Sequence, residues 1–205
     1  AALGDAVAQC ANALVHIDEY KNSIDLDKRE FLKGLWDGTG RSRMNMDRDK
    51  KREITSVDCG VILSGQEMPT IDIALFSRLI YLTFTKTEFS TSEKQAFDQC
   101  KSIRDLGLSH LTLQLLRYRS KMETDFTSSY RQCMGDLNER LKGESIEDRI
   151  QRNWVIPLAA FRALEAVLDV PFTYLELLNI CVDGIIRQNR ECKSNNELAN
   201  FWNVV

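Results

Sequence analysis

Hydrophobic positions along the chain follow two different rhythms. In the first ninety residues they come in short runs: Ala13-Leu14-Val15-His16-Ile17 ending at Asp18-Glu19, then Asp58-Cys59-Gly60-Val61-Ile62-Leu63, then Leu79-Ile80-Tyr81-Leu82-Thr83-Phe84. Short apolar runs bounded by polar or turn residues suit buried parallel strands. The third run adds β-branched and aromatic character. Between the first two runs, Phe31, Leu32, Leu35 and Trp36 recur at helical spacing. The turn residues Asp37-Gly38-Thr39-Gly40 then close that helix, and residues 41–54 alternate basic or polar with apolar side chains, which predicts a β-hairpin. A helical stretch over 3–11 precedes the first strand, and a short helix over 72–78 precedes the third.

From about residue 91 the strand signal stops. Helices are expected over 92–106, from 109 to about 141, over 146–168 and over 174–190, with a last one starting at Asn195-Asn196-Glu197. Gly143-Glu144-Ser145 and Asp169-Val170-Pro171 are the best hinge points. The pattern predicts an α/β fold: about three parallel strands with flanking helices in 1–90, followed by a predominantly α-helical region in 91–205. Such a half sheet leaves an unpaired edge and an uncovered apolar face. Self-association or a rearranged N-terminal segment is expected to cover them.

Composition narrows the class. With 205 residues, 43% hydrophobic and 28% charged, and three prolines, the chain is an ordinary globular protein with room for one substantial core. No run approaches the roughly 18 to 20 apolar residues that span a bilayer, and no basic segment leads into an apolar one at the start. A cytoplasmic protein with no membrane partner is expected. Six widely spaced cysteines signal neither a zinc site nor a disulfide framework, so reduced structural thiols are expected. Two histidines, His16 and His110, offer histidine-based metal chemistry little to build on. The formal charge of −3 is uneven: Arg41, Arg43, Arg48, Lys50, Lys51 and Arg52 stand against Asp47, Asp49 and Glu53.

Four groups of residues could carry chemistry. An apolar strand that ends Asp18-Glu19 is what nucleotide triphosphatases use: the first carboxylate holds a magnesium-bound water and the second polarises the attacking water. The plain alternative is a solvated strand end. Ser64 and Gln66, at the end of the second run, could sense a terminal phosphate, or could simply form a turn. Arg78 could reach a phosphate on a neighbouring subunit, or could pair with Asp72 or Glu88 on the surface. The basic hairpin could track the backbone of single-stranded DNA, or be a solvated loop. Trp36, Trp154 and Trp202 read as core anchors rather than stacking platforms.

Taken in order, residues 11–20, 35–46, 61–69 and 76–80 resemble the ATPase portion of mobile-element DNA primase–helicase proteins, which join a primase module to a P-loop motor in phages, plasmids and integrative elements. The resemblance covers most of the chain and is most specific in the first 90 residues. It implies a partial P-loop NTPase-like sheet in 1–90, with Asp18 and Glu19 in its second acidic motif, Ser64 and Gln66 at its sensor strand and Arg78 as a finger. It also implies a DNA-facing hairpin at Arg41 to Arg52. ATP and Mg2+ follow as cofactors of the intact protein, with Mg2+ held through water at Asp18, and single-stranded DNA and a homo-oligomeric ring follow as partners. One departure matters: no Gly-x-x-x-x-Gly-Lys-Ser/Thr occurs in the chain. Without that phosphate cradle the chain is expected to be a fragment or one part of a split gene, with no bound nucleotide and no hydrolysis of its own.

Overall fold

A computed structural model describes residues 4, 7, 9, 10, 12–44, 52–85 and 90–204, with side chains left aside over 39–44, 52–56 and 196–204. The fold is α/β and mostly helical. The chain divides into two compact units, residues 1–79 with 188–205, and residues 80–187.

In the first unit, β1 (Leu14–Tyr20) and β4 (Gly60–Gly65) pair in parallel, with Val15 opposite Val61 and Ile17 opposite Leu63. Helix α1 (Leu26–Trp36) connects β1 to a hairpin of β2 (Thr39–Met44) and β3 (Arg52–Ser56), which leads into β4. Gly38 ends α1 at φ +67°, and its amide bonds to the Leu35 carbonyl, a left-handed stop that glycine adopts without penalty. The pair β1–β4 is half covered. Tyr20, Leu32 and Leu75 form a small core against which Ile17, Ile24, Leu35 and Leu63 pack. On the other face Leu14 and Ile62 stay 65% and 47% exposed.

Two expectations about the sheet are corrected. The strands are not buried on both faces: Leu14, His16, Asp18 and Ile62 are exposed, whereas Ile17 and Leu63 pack against the small core. Residues 79–84 form no strand, so two parallel strands rather than about three are paired among the described residues. The second run also begins and ends later than expected, which places Ser64 and Gly65 in β4 rather than in a loop.

The short helix α2 (Ile73–Phe76) starts where Asp72 accepts a hydrogen bond from the Leu75 amide at 3.0 Å. Lys33 of α1 reaches the same carboxylate at 3.1 Å. At the other end of α2, the buried Gln188 amide donates to the Phe76 and Leu79 carbonyls at 2.8 and 2.9 Å. The Phe76 carbonyl also accepts from the Leu79 amide at 3.3 Å, so the Gln188 bond matters most for the Leu79 carbonyl, beyond the helix end.

Beyond the first unit the chain continues through α3 (Thr91–Leu106), α4 (Ser109–Leu116), α5 (Arg119–Arg140) and α6 (Asp148–Leu164) to α7 (Tyr174–Val204). Ser90 caps α3 by accepting from the Glu93 amide at 3.1 Å. The helix expected from 109 to about 141 is interrupted at Arg117-Tyr118, and the two helices expected after 174 are one, continuous through Asn195-Asn196. The core of the second unit draws Cys133 and Leu137 from α5, Ile150, Trp154, Val155 and Leu158 from α6, and Cys181 and Ile185 from α7. Trp154 is the buried anchor that the sequence suggests, whereas Trp36 is 44% exposed and the Trp202 side chain lies outside the described residues. Among the described residues no helix is long and apolar enough to cross a membrane.

Candidate functional site

The carboxyl ends of β1 and β4 lie side by side, as parallel pairing requires. Alternation along β1 puts Leu14, His16 and Asp18 on the uncovered face, and the register sets Ile62 and Ser64 beside them. Three polar groups meet there. The Ser64 hydroxyl donates to Asp18 Oδ1, and His16 Nε2 lies 2.8 Å from the same Ser64 oxygen. A hydroxyl has one proton, and here it goes to the carboxylate, so His16 Nε2 carries the hydrogen of the other bond. The Glu19 amide also donates to Asp18 Oδ1, at 2.8 Å.

These bonds hold the Asp18 carboxyl below its ordinary value: the Ser64 hydroxyl contributes most, the Glu19 amide next, and His16 adds a smaller pull against the opposing effect of burial. Both bonds land on Oδ1. An exposed carboxylate with one oxygen fixed and the other uncommitted suits a hydrated magnesium ion, which accepts one or two carboxylates and keeps several waters. Among the described residues, no group of three or more His, Cys, Asp and Glu side chains is gathered around a metal position.

Glu19 sits at φ +59°, where the pairing register shifts between Ile17 and Tyr20. A regular strand would send Asp18 and Glu19 to opposite faces, with Glu19 toward the small core. The left-handed residue breaks that alternation, so Glu19 stays exposed while Tyr20 takes the buried position. Gly65 permits the irregularity, because a Cβ there would lie 2.5 Å from the Tyr20 carbonyl oxygen. Gln66 follows β4 at the same end of the sheet and is exposed.

Arg78 lies elsewhere. Its Nη1 donates to the Ala74 carbonyl at 2.7 Å, and its guanidinium carbon lies 5.6 Å from the centre of the Trp36 ring. The surface pairing considered for it with Asp72 does not form, since Asp72 pairs with Lys33. Arg41 and Arg43 fall on β2 and Arg52 on β3, where Arg43 stands opposite Glu53 and Met44 opposite Arg52. Arg48, Lys50 and Lys51 lie outside the described residues, as does Glu88.

Comparison with protein-family models and with curated proteins returns no match. The site therefore stands on its own geometry. Sequence reasoning missed His16 as a member of it, although the signal was present: period two places His16 on the face of Asp18, two residues on.

Proposed function

We propose that this chain supplies the acidic half of a nucleotide-hydrolysing site in a DNA-replication ATPase of the primase-associated helicase type, coupling ATP turnover to movement on single-stranded DNA. The observation that carries this reading is the Asp18 carboxylate, fixed by Ser64 at the shared carboxyl end of two parallel strands. Open α/β sheets place ligands at that end. In this reading Asp18 holds Mg2+ through water, and Glu19 beside it orients the attacking water. Ser64 positions Asp18, and Gln66 faces the terminal phosphate. Arg78 acts on a nucleotide held by a neighbouring subunit of a homo-oligomeric ring. Magnesium, once bound, supplies charge neutralisation on the phosphates. The phosphate cradle is contributed by polypeptide outside these 205 residues, and the 205-residue chain alone turns over no ATP.

The test is the gene product that carries both this segment and a Gly-Lys-Ser/Thr loop. Glu19→Gln should leave nucleotide affinity within a few-fold and lower kcat by about 100-fold or more, the usual scale for a lost proton-transfer group. Retained hydrolysis would remove Glu19 from the mechanism. Absence of any such loop from the natural polypeptide would remove the ATPase reading altogether.

A second reading, a non-catalytic nucleic-acid-binding or protein-binding module, draws on the antiparallel hairpin that carries Arg41, Arg43 and Arg52. If it binds single-stranded DNA through phosphates, affinity should fall steeply with salt, and Arg41→Ala with Arg43→Ala should flatten the slope by about 1.4 in log–log terms, roughly 0.7 per lost contact. Binding that ignores salt would exclude this account.

A further inference from the structure

Every residue from 91 to 116 is exposed, and neither α3 nor α4 contains a buried side chain. These are not polar helices. Phe97, Ile103, Leu106 and Leu108, then Leu111, Leu113, Leu115 and Leu116, are between 41% and 87% exposed. Helices of 16 and 8 residues are too short to persist in water on backbone bonding alone, and owe their stability to an apolar face packed against something. Eight large side chains about half exposed offer on the order of 800 Å² of apolar surface, which is what one partner brings to a standard protein interface.

The charges indicate which partner. Helix α4 has no acidic or basic side chain apart from His110. In α3 the first half holds Glu93, Lys94 and Asp98 and the second half Lys101, Arg104 and Asp105, one excess negative charge followed by one excess positive charge. A two-fold axis that runs two such helices antiparallel sets each acidic half against a basic half, so the surface complements itself.

We propose that α3 and α4 form an isologous contact with the same two helices of a second copy of this chain, the two α3 helices running antiparallel. This contact is independent of the nucleotide site. It predicts a dimer of the 205-residue chain by sedimentation equilibrium, together with slowed amide exchange across 91–116. Leu106→Glu combined with Leu113→Glu, both at exposed positions, should give a monomer and lose that protection while far-UV signal from the remaining helices persists. Reversing the first half of α3 (Glu93→Lys with Asp98→Lys) should weaken the dimer at least tenfold, as should reversing the second half (Lys101→Glu with Arg104→Glu). Both reversals together should restore it. A chain that stays monomeric at about 100 µM, well above the range in which interfaces of this size form, overturns the proposal whether 91–116 is protected or not. So does a dimer indifferent to these substitutions.

Discussion

Replacing Gly184 by alanine should destabilise the second unit, against the general rule that glycine inside a helix is improved by alanine. Trp154 is 3% exposed, and its six-membered ring lies against α7 so closely that a Cβ on Gly184 would stand 2.3 Å from Cη2, 2.6 Å from Cζ2 and 2.8 Å from Cζ3. Carbon atoms in contact settle near 3.5–4.0 Å, so ring and helix must separate by about 1 Å or more. Trp154 cannot yield by bending, as a flexible side chain would. Overpacking of this kind costs about 1–3 kcal/mol, and three clashing atoms place this case near the upper end. Alanine's helix preference returns about 1 kcal/mol. The net is a loss of about 2 kcal/mol, a fall in urea midpoint of roughly 1 M for a slope of about 2 kcal/mol per molar. The sharper test is the background. With Trp154→Leu in place the clash is gone, and Gly184→Ala should then stabilise by about 1 kcal/mol, a coupling of about 3 kcal/mol between the two sites. Far-UV circular dichroism follows unfolding in all four proteins without relying on the indole. Equal effects of Gly184→Ala in both backgrounds, or a raised midpoint when Trp154 is present, would refute the packing argument.

Other outcomes follow from the same geometry. The Asp18 carboxyl, held low by Ser64 and the Glu19 amide, should titrate in the folded protein below its ordinary value of about 3.9. Its contribution to stability is then present above that value and lost as pH falls through the depressed one, and Ser64→Ala should move the midpoint upward in a carboxyl-carbon NMR titration. Among the cysteines, burial raises the thiols of Cys133 and Cys181, the latter pushed up to about 11, whereas Cys100 is exposed. A thiol reagent at pH 8 should therefore reach Cys133 and Cys181 only after unfolding; fast labelling of Cys181 in the native protein would contradict its placement. Gln188→Leu removes the side-chain donor from the Leu79 carbonyl and one of two donors from the Phe76 carbonyl, and should cost about 1–3 kcal/mol in the unit that contains α2. A neutral result in urea would show that solvent reaches those carbonyls.

Local signals were legible where the sequence itself contains the cause. The run 13–17 and the run ending at Leu63 became β1 and β4, and the apolar spacing of Phe31, Leu32, Leu35 and Trp36 became α1. What failed depended on partners. Residues 79–84 have the composition of a strand, but strand propensity records fit to a pleated neighbour, and no strand of the described residues forms a ladder with them. The break at Arg117-Tyr118 carries no glycine or proline to announce it. Asn195-Asn196 suggested a new start, yet asparagine costs a helix interior well under 1 kcal/mol and α7 runs through it. At the site, Asp18 and Ser64 were read from motif order and period two already puts His16 on the face of Asp18, while the turn at Glu19 emerges only when two strands are set in register. Arg78 was read from residue type alone, and within the chain its guanidinium bonds to the Ala74 carbonyl and lies over Trp36, apart from the Asp18–Ser64 cluster.

Glu19 separates a structural explanation from a functional one. In an unbroken strand its carboxylate would take the place of Tyr20 beside Leu32 and Leu75, so the turn at φ +59° has a plain structural use: it keeps a charge out of a small core. That use does not require glutamate. A residue with a Cβ in the left-handed region bears a strain of about 1–2 kcal/mol, which glycine relieves at a smaller cost in chain entropy. Glu19→Gly should therefore leave β1 and β4 paired and raise stability by up to about 1 kcal/mol, whereas Glu19→Ala keeps the strain and should change little. If the glycine variant gains stability, glutamate is held at this position for something other than the fold, as the water-orienting role requires. Should it lose more than about 1 kcal/mol in urea unfolding, the side chain itself is structural and the strain argument fails.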